Sequence, residues 1–417
     1  MFKLALLLLI SSCSLFISRI ETPLVKISKE SLDKVSPPTY CPIEKDVKAQ
    51  IVGSDAHSET VYLDSMKSSG NQLDFLDHFA LWNLLQLSIR PDQSSPTSRL
   101  QVLMEMNGKS YYFDFFSEEP KNQYPFLFGL EWILEKFGKK KSLEFYASYI
   151  NNHFKNKLKI NKEFEAFLVK NLANLKSSEE LSPYYFRGAD VLKENETSPD
   201  VDLLTLIRHF RQNKSKQKIL VNTSLVPFET EKGSQGKCNY DFNLYDNSIF
   251  LIDKVLPVGN IYGLSIGESA FFSSSSQKLS TIESLHGTSL FQGESKVRSS
   301  AVCIIENENS KIWAFSNQSR DPGQHLFQLV RYGLASSMKT SEVDKLIRHS
   351  RHLFLSDPTR LVIESKRSSK EQIENLLKFP LPIYNADKLG NIWAFTQFKE
   401  GHRFIIDDRN PGNFSCQ

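Results

Sequence analysis

The segment RLQVLMEMNGKSYYFDFF, residues 99–116, constrains the fold more than any other stretch of this chain. Apolar and polar side chains alternate on either side of Asn107-Gly108, a pair suited to the positive φ angles of a two-residue turn. The expectation is a β-hairpin whose successive side chains point to opposite faces. Its neighbours have a different period. Residues 73–92, LDFLDHFALWNLLQLSIRPD, carry Leu73, Leu76, Phe79, Ala80, Leu84 and Leu87 at helical spacing, and Pro91 ends the run. Residues 125–150 are again helical, with a break expected at Gly138 and the three lysines after it. Residues 161–176 form an amphipathic helix with Asn161 as its N-cap, and residues 200–213 form another.

Near residue 216 the pattern changes to short runs of Val, Ile, Phe and Tyr separated by Ser, Gly and Asn. Strands are expected at 218–224, 248–255, 260–265, 270–274, 301–306 and 311–316. Two helices follow. Asp321 can cap the first, with Pro322 at its opening position, and Thr340 or Ser341 can cap the second, TSEVDKLIRHSRHLF. Strands at 359–364, 392–397 and 403–407 close the chain. This reads as an α+β protein: a mainly helical domain with a β-hairpin over 46–216, then an α+β domain over 217–417. NSKIWAFSNQ (309–318) echoes LGNIWAFTQF (389–398). Bulk on both faces marks each as a strand covered on both sides, and two separate core strands are preferred over a duplication. With 40% hydrophobic and 24% charged residues the chain can bury real cores. A formal charge of only +3 does not suggest nucleic-acid binding.

The chain opens MFKLALLLLISSCS. Lys3, an apolar run to Ile10 and small residues suit a signal peptide over 1–12, and the run is too short for a spanning helix. Ile10-Ser11-Ser12-Cys13 resembles the lipobox of bacterial lipoproteins. The resemblance implies cleavage before Cys13, acylation by palmitate-type chains, and a lipid-anchored tether over 13–45. Ser14 in place of Asp implies the outer membrane, with the body facing the periplasm or the cell surface. An ordinary signal peptide cut further along is the alternative. Of the five cysteines, Cys41, Cys238, Cys303 and Cys416 would remain after acylation of Cys13. Up to two disulfides are expected in an oxidising compartment, with three possible pairings. Cys238 with Cys303 is favoured, because both flank strands of one domain, and Cys41 with Cys416 could staple the chain ends. No CxxC pair suggests zinc.

Motifs for chemistry are few. Gly263-Leu264-Ser265-Ile266-Gly267 matches G-x-S-x-G, which in α/β-hydrolases exposes the serine on a strand-to-helix turn. The following ESAFFSSSSQ does not read as a helix, and a glycine-flanked strand edge is the bland alternative. Leu285-His286-Gly287-Thr288 resembles a short element of ADP-ribosyltransferases, against a plain Ser/Gly turn. His349 and His352 stand one helical turn apart, but Arg348 and Arg351 beside them would repel a cation. With Arg360 these arginines suit an anion-binding face for lipid or polysaccharide phosphates, against a solvated helix face. SRDPGQH (319–325), with Arg320 beside a helix start, could hold an anion, and helix capping explains the same residues and is preferred. No paired carboxylates, Walker, Rossmann or calcium motif is present, so neither cofactor nor metal is expected. The leading expectation is a non-enzymatic envelope binding or assembly factor. Its partners would be the membrane, through the lipid anchor, and another envelope protein or an anionic envelope polymer. The alternatives are a lipid-anchored serine hydrolase using Ser265, and a structural spacer.

Overall fold

A computed structural model describes residues 22–23, 49–53, 56–69, 73–119, 123–229, 235–241, 258–266, 268–276, 300–307, 309–356, 358–398, 401–409 and 413–416. A short strand β1 (Ala49–Gly53) leads into helices α1 (Ala56–Ser69) and α2 (Phe75–Ile89). Asp74 caps α2 and forms a reciprocal box with Asp77. The hairpin follows as β2 (Arg99–Met106) and β3 (Lys109–Phe116), with φ of 52° at Asn107 and 71° at Gly108. Both central residues take the left-handed values that suit the strand twist. Helices α3 (Pro125–Lys136) and α4 (Leu143–Phe154) are separated at Gly138, whose φ is 81°. Helix α5 (Lys162–Lys170) is capped by the Asn161 side chain, which accepts from the Phe164 N–H, and α6 (Leu203–Gln212) by Asp202. Strands β4 (Leu220–Asn222), β5 (Val226–Glu229), β6 (Gln235–Cys238), β7 (Val258–Ile266), β8 (Glu268–Ser276), β9 (Ala301–Glu306) and β10 (Lys311–Asn317) come next. Asp321 then caps α7 (Pro322–Arg331), and α8 (Thr340–Arg348) follows. The remainder holds β11 (His352–Ser356), β12 (Thr359–Ile363), α9 (Lys370–Leu376), β13 (Ile383–Asn385), β14 (Asn391–Phe398), β15 (Gly401–Ile405) and β16 (Asn413–Cys416).

Two antiparallel sheets stack face to face. One has seven strands in the order β16-β1-β7-β8-β2-β3-β4, the other six in the order β15-β14-β10-β9-β6-β5. The period of two sorts each strand between two layers. Leu103 and Tyr112 meet Val302, Ile304, Trp313, Phe315, Trp393, Phe395 and Phe404 in the layer between the sheets. Leu100, Val102, Phe113 and Phe115 turn the other way, against α1, α2, α3, α4 and α6. Ala301, Cys303, Ile305, Ile312 and Ala314 turn away from the inner layer on the other sheet, against α7 and α8. The result is four layers: helix, sheet, sheet, helix. A small sheet of β11, β12 and β13, with Thr22–Pro23 on its edge, lies beside this stack. The two IWAF copies are neighbours, β10 and β14, with Ala314 opposite Ala394 and Trp313 opposite Phe395.

The α+β class holds, but the proposed boundary does not. A cut at 216 would pass through the seven-stranded sheet, which pairs β2 of the first half with β8 of the second. Periodicity reports which segments are helical or extended, and strand pairing decides which segments share a core. The second correction concerns residues 340–354. The helix stops at Arg348, His349 leaves it with ψ of 150°, and His352 opens β11. The two histidines are therefore not one helical turn apart. Among the described residues no helix is long and apolar enough to cross a membrane.

Candidate active site

The end of the sandwich where β2 and β9 begin and β3, β6 and β10 end carries polar residues in the inner layer. On the hairpin, Gln101 stands opposite Asp114 and Leu103 opposite Tyr112. All four follow the inward phase, so Gln101, Tyr112 and Asp114 continue a layer that is apolar further along. Burying such groups is costly unless they bond one another. Here they do. Arg99 grips Asp114 with two hydrogen bonds, Nε to Oδ1 at 2.6 Å and Nη2 to Oδ2 at 2.5 Å. Burial alone would lower the Arg99 pKa, but the Asp114 carboxylate outweighs it and the net shift is upward. The Tyr112 hydroxyl donates to Asp114 Oδ2 at 3.3 Å and accepts from Gln101 Nε2 and Asn239 Nδ2, each at 3.0 Å.

Asn239 joins the sheets. Its backbone N–H donates to the Val302 carbonyl at 3.0 Å, and its Oδ1 accepts from the Val302 N–H at 2.8 Å. Its Nδ2 also donates to the Ser300 carbonyl at 3.1 Å, which Gln101 Nε2 reaches at 3.4 Å. The start of β9 is thus held by both sheets. Ser300 is fully buried, and strand alternation puts it in the inward phase with Val302 and Ile304. Ser300 thus stands at the head of a central strand with its carbonyl held by two buried amides, and a serine hydroxyl is a group able to act as a nucleophile. Across the β9–β10 ladder, Ala301 pairs with Ser316, so Asn317 follows opposite Ser300. Beyond it, Ser319 Oγ lies 2.7 Å from His325 Nε2. Burial, then the charges of Arg351 and Arg409, hold His325 well below its ordinary pKa, so this imidazole is neutral.

The residues singled out from sequence fall elsewhere. Ser265 lies within β7, opposite Gln50 of β1 and Ser269 of β8. Only residue 267 separates β7 from β8, so the motif spans a strand-to-strand hairpin and there is no elbow leading into a helix. Arg351 is buried, donating to Asp407 and to the carbonyls of Ile347, Leu389 and Gly390. Arg348 pairs with Asp344 at 3.0 Å, and Arg360 donates to the Pro358 carbonyl at 2.8 Å. Arg351 thus spends both terminal nitrogens inside the protein, while Arg348 and Arg360 each place one nitrogen on an internal acceptor. Cys238 and Cys303 form a disulfide across paired positions of β6 and β9. Cys13, Cys41 and residues 285–288 lie outside the described residues; Cys416 lies on β16. No cluster of His, Cys, Asp and Glu suited to a metal occurs among the described residues.

No family model and no curated protein matches this chain. Solved structures do. LmbA2991T421A matches with a TM-score of 0.60 at 6% identity, over 92% of this chain and 100% of that one. The cephalosporin acylase from Bacillus halodurans matches with a TM-score of 0.58 at 8% identity, over 94% of this chain and 99% of that one. At such identity the likeness is one of fold. It overturns the expectation of a non-enzymatic envelope factor, because the whole body of the chain shares the architecture of an acylase. That expectation rests on the tether, the aromatic-rich body and the lack of a catalytic set in the sequence. The serine-hydrolase alternative falls with the hairpin setting of Ser265.

Proposed function

We propose that this chain is an amide-bond hydrolase or acyl-transfer enzyme of the N-terminal-nucleophile kind, with the Ser300 hydroxyl as nucleophile. One observation carries the reading. Ser300 heads a central strand of a four-layer sandwich and is fixed by Asn239 and Gln101 inside a buried polar cluster. The shared fold with an acylase supports it.

A serine hydroxyl needs a base to attack an amide carbonyl, and a free α-amine can serve. Opening the chain between residues 299 and 300 would create that amine on Ser300 itself. Its pKa, ordinarily about 7.7–8.0, suits proton transfer near neutral pH. Attack forms the acyl ester on Oγ, and the proton passes through the amine to the departing nitrogen. Water or a second amine then resolves the ester. Arg99, Asp114 and Tyr112 would keep the wall rigid and charged in one fixed arrangement.

The test is intact mass together with turnover of a panel of N-acyl p-nitroanilides and a cephalosporin side-chain amide. After reduction of the Cys238–Cys303 disulfide, which would otherwise join the two pieces, the reading expects a fragment beginning at Ser300, and it expects activity lost in Ser300→Ala. A single uncut chain without turnover would contradict it. We further infer export and tethering at Cys13 in the outer membrane; the lipobox resemblance supports this, and so does the Cys238–Cys303 disulfide, a bond typical of oxidising compartments.

A further inference from the structure

We infer that the Cys238–Cys303 disulfide is a redox-sensitive clamp on the candidate site, so that its reduction releases Asn239 and disarms Ser300. The inference rests on the reading of Ser300 as the reactive residue. Three observations carry it. The cystine and the clamp are contiguous: Cys238 directly precedes Asn239, and Cys303 directly follows Val302. Asn239 bonds Val302 twice and holds both the Ser300 carbonyl and the Tyr112 hydroxyl. The hairpin that carries Asn239 is also weakly attached. Among the described residues, strand β5 is the outermost strand and pairs only with β6, and β6 meets β9 through three residue pairs, Cys238–Cys303, Lys237–Ile304 and Gly236–Ile305. The disulfide is the covalent link of that short ladder, at the rung nearest the site.

Short edge ladders open more readily than central strands, so the cross-link matters most here. The reductant class is a thiol. One thiolate attacks a cystine sulfur and forms a mixed disulfide, and a second thiol releases it. The sum is one cystine and two thiols going to two cysteines and one new disulfide, a two-electron exchange. Both half-cystines are buried, so the step proceeds from an opened edge and is slower than at an exposed bond.

The experiment measures hydrogen exchange of the full-length protein, oxidised and after treatment with dithiothreitol, with alkylation and mass fixing the redox state. Turnover of the N-acyl p-nitroanilide panel is read on the same samples. Amides in 237–240 and 300–303 are expected to exchange about tenfold faster when reduced, with those in α2 unchanged. Turnover should fall in parallel, and both changes should reverse on reoxidation. The double variant Cys238→Ala, Cys303→Ala should match the reduced form. The clamp is overturned by unchanged exchange after verified reduction, by an equal rise across all helices, or by a disulfide that resists dithiothreitol in the folded protein. Local loosening in a protein that is inactive even when oxidised would instead remove the Ser300 assignment while upholding the clamp.

Discussion

Among the described residues, the buried arginine–carboxylate clusters around Asp114 and around Asp407 are built differently. In the first, Arg99 is matched to Asp114, and Gln101 and Asn239, both bonded to the Tyr112 hydroxyl, converge on the carbonyl of one serine. In the second, Arg409 donates to Glu364 through Nε and Nη2, to Asp407 through Nη1, and to the carbonyls of Ile347 and His349. Asp407 also accepts from Arg351 and from the backbone of Ile392 and Arg409. Glu364 accepts from the backbone of Arg351 and Leu389. That cluster ties β12, the start of β14 and the segment after β15 to the end of α8, with its donors spent on the chain itself. On the proposed reading the first orients a reactive group, whereas the second locks elements together. Charge and burial are alike in both, so what the donors point at separates chemistry from architecture.

The largest effect should come from Ser300→Ala. Turnover of the amide panel should drop about 10³-fold or more, with thermal unfolding unchanged, as expected for loss of a nucleophile. Ser265→Ala, measured alongside, should leave turnover within about twofold.

Asp407→Asn should do the reverse, sparing the chemistry and costing about 3–5 kcal/mol of stability, because it takes the paired carboxylate from the buried Arg351 and leaves Arg409 with Glu364 alone. The same residue predicts a pH effect. Burial alone would raise the Asp407 pKa, but Arg351 and Arg409 bring it down to about 2. An unfolded aspartate titrates near about 3.9. The unfolded chain therefore binds the proton first, and the contribution is complete above about pH 4 and lost as pH falls through 2. Urea melts between pH 5 and 2 should show a steep acid loss that is shallower in Asp407→Asn. An equal slope in both proteins would break the distinction between the clusters.

Asn239→Asp sharpens the comparison from the other side. It keeps the acceptor for the Val302 N–H and removes the donors to Ser300 and Tyr112. Turnover should fall about 10- to 100-fold, from loss of about 1–3 kcal/mol of hydrogen bonding, with a smaller change in melting. Melting that falls as far as in Asp407→Asn, with turnover per folded molecule intact, would make the first cluster a lock as well. The smallest effect is expected for Gly108→Ala. Open space surrounds the position, so only the left-handed backbone resists the substitution, at about 1 kcal/mol read as a shift in urea midpoint.

Local features were legible where one residue decides them. Asn107-Gly108 marked the hairpin, Gly138 the break between α3 and α4, and Asp321-Pro322 the start of α7. The pairing of Cys238 with Cys303 was also readable, since each lies on a strand. The site was not, because it joins Gln101 to Ser300 across 199 residues and has no compact motif. One signal did exist. Gln101 and Asp114 are polar residues in register on the inward face of a hairpin, a placement that calls for buried partners. The domain boundary failed for a related reason: β7 and β8 return to a sheet begun by the first half, and strand order is not a local property.

The most direct test of the account is the intact mass of the native protein and of Ser300→Ala, each before and after incubation with an amide substrate. Read after reduction of the Cys238–Cys303 disulfide, the account predicts a chain opened ahead of Ser300 and, with substrate, an acyl mass added to the fragment beginning at Ser300, both absent from the variant. A chain that stays whole and takes up no acyl group, in protein whose fold is verified by melting, would contradict it.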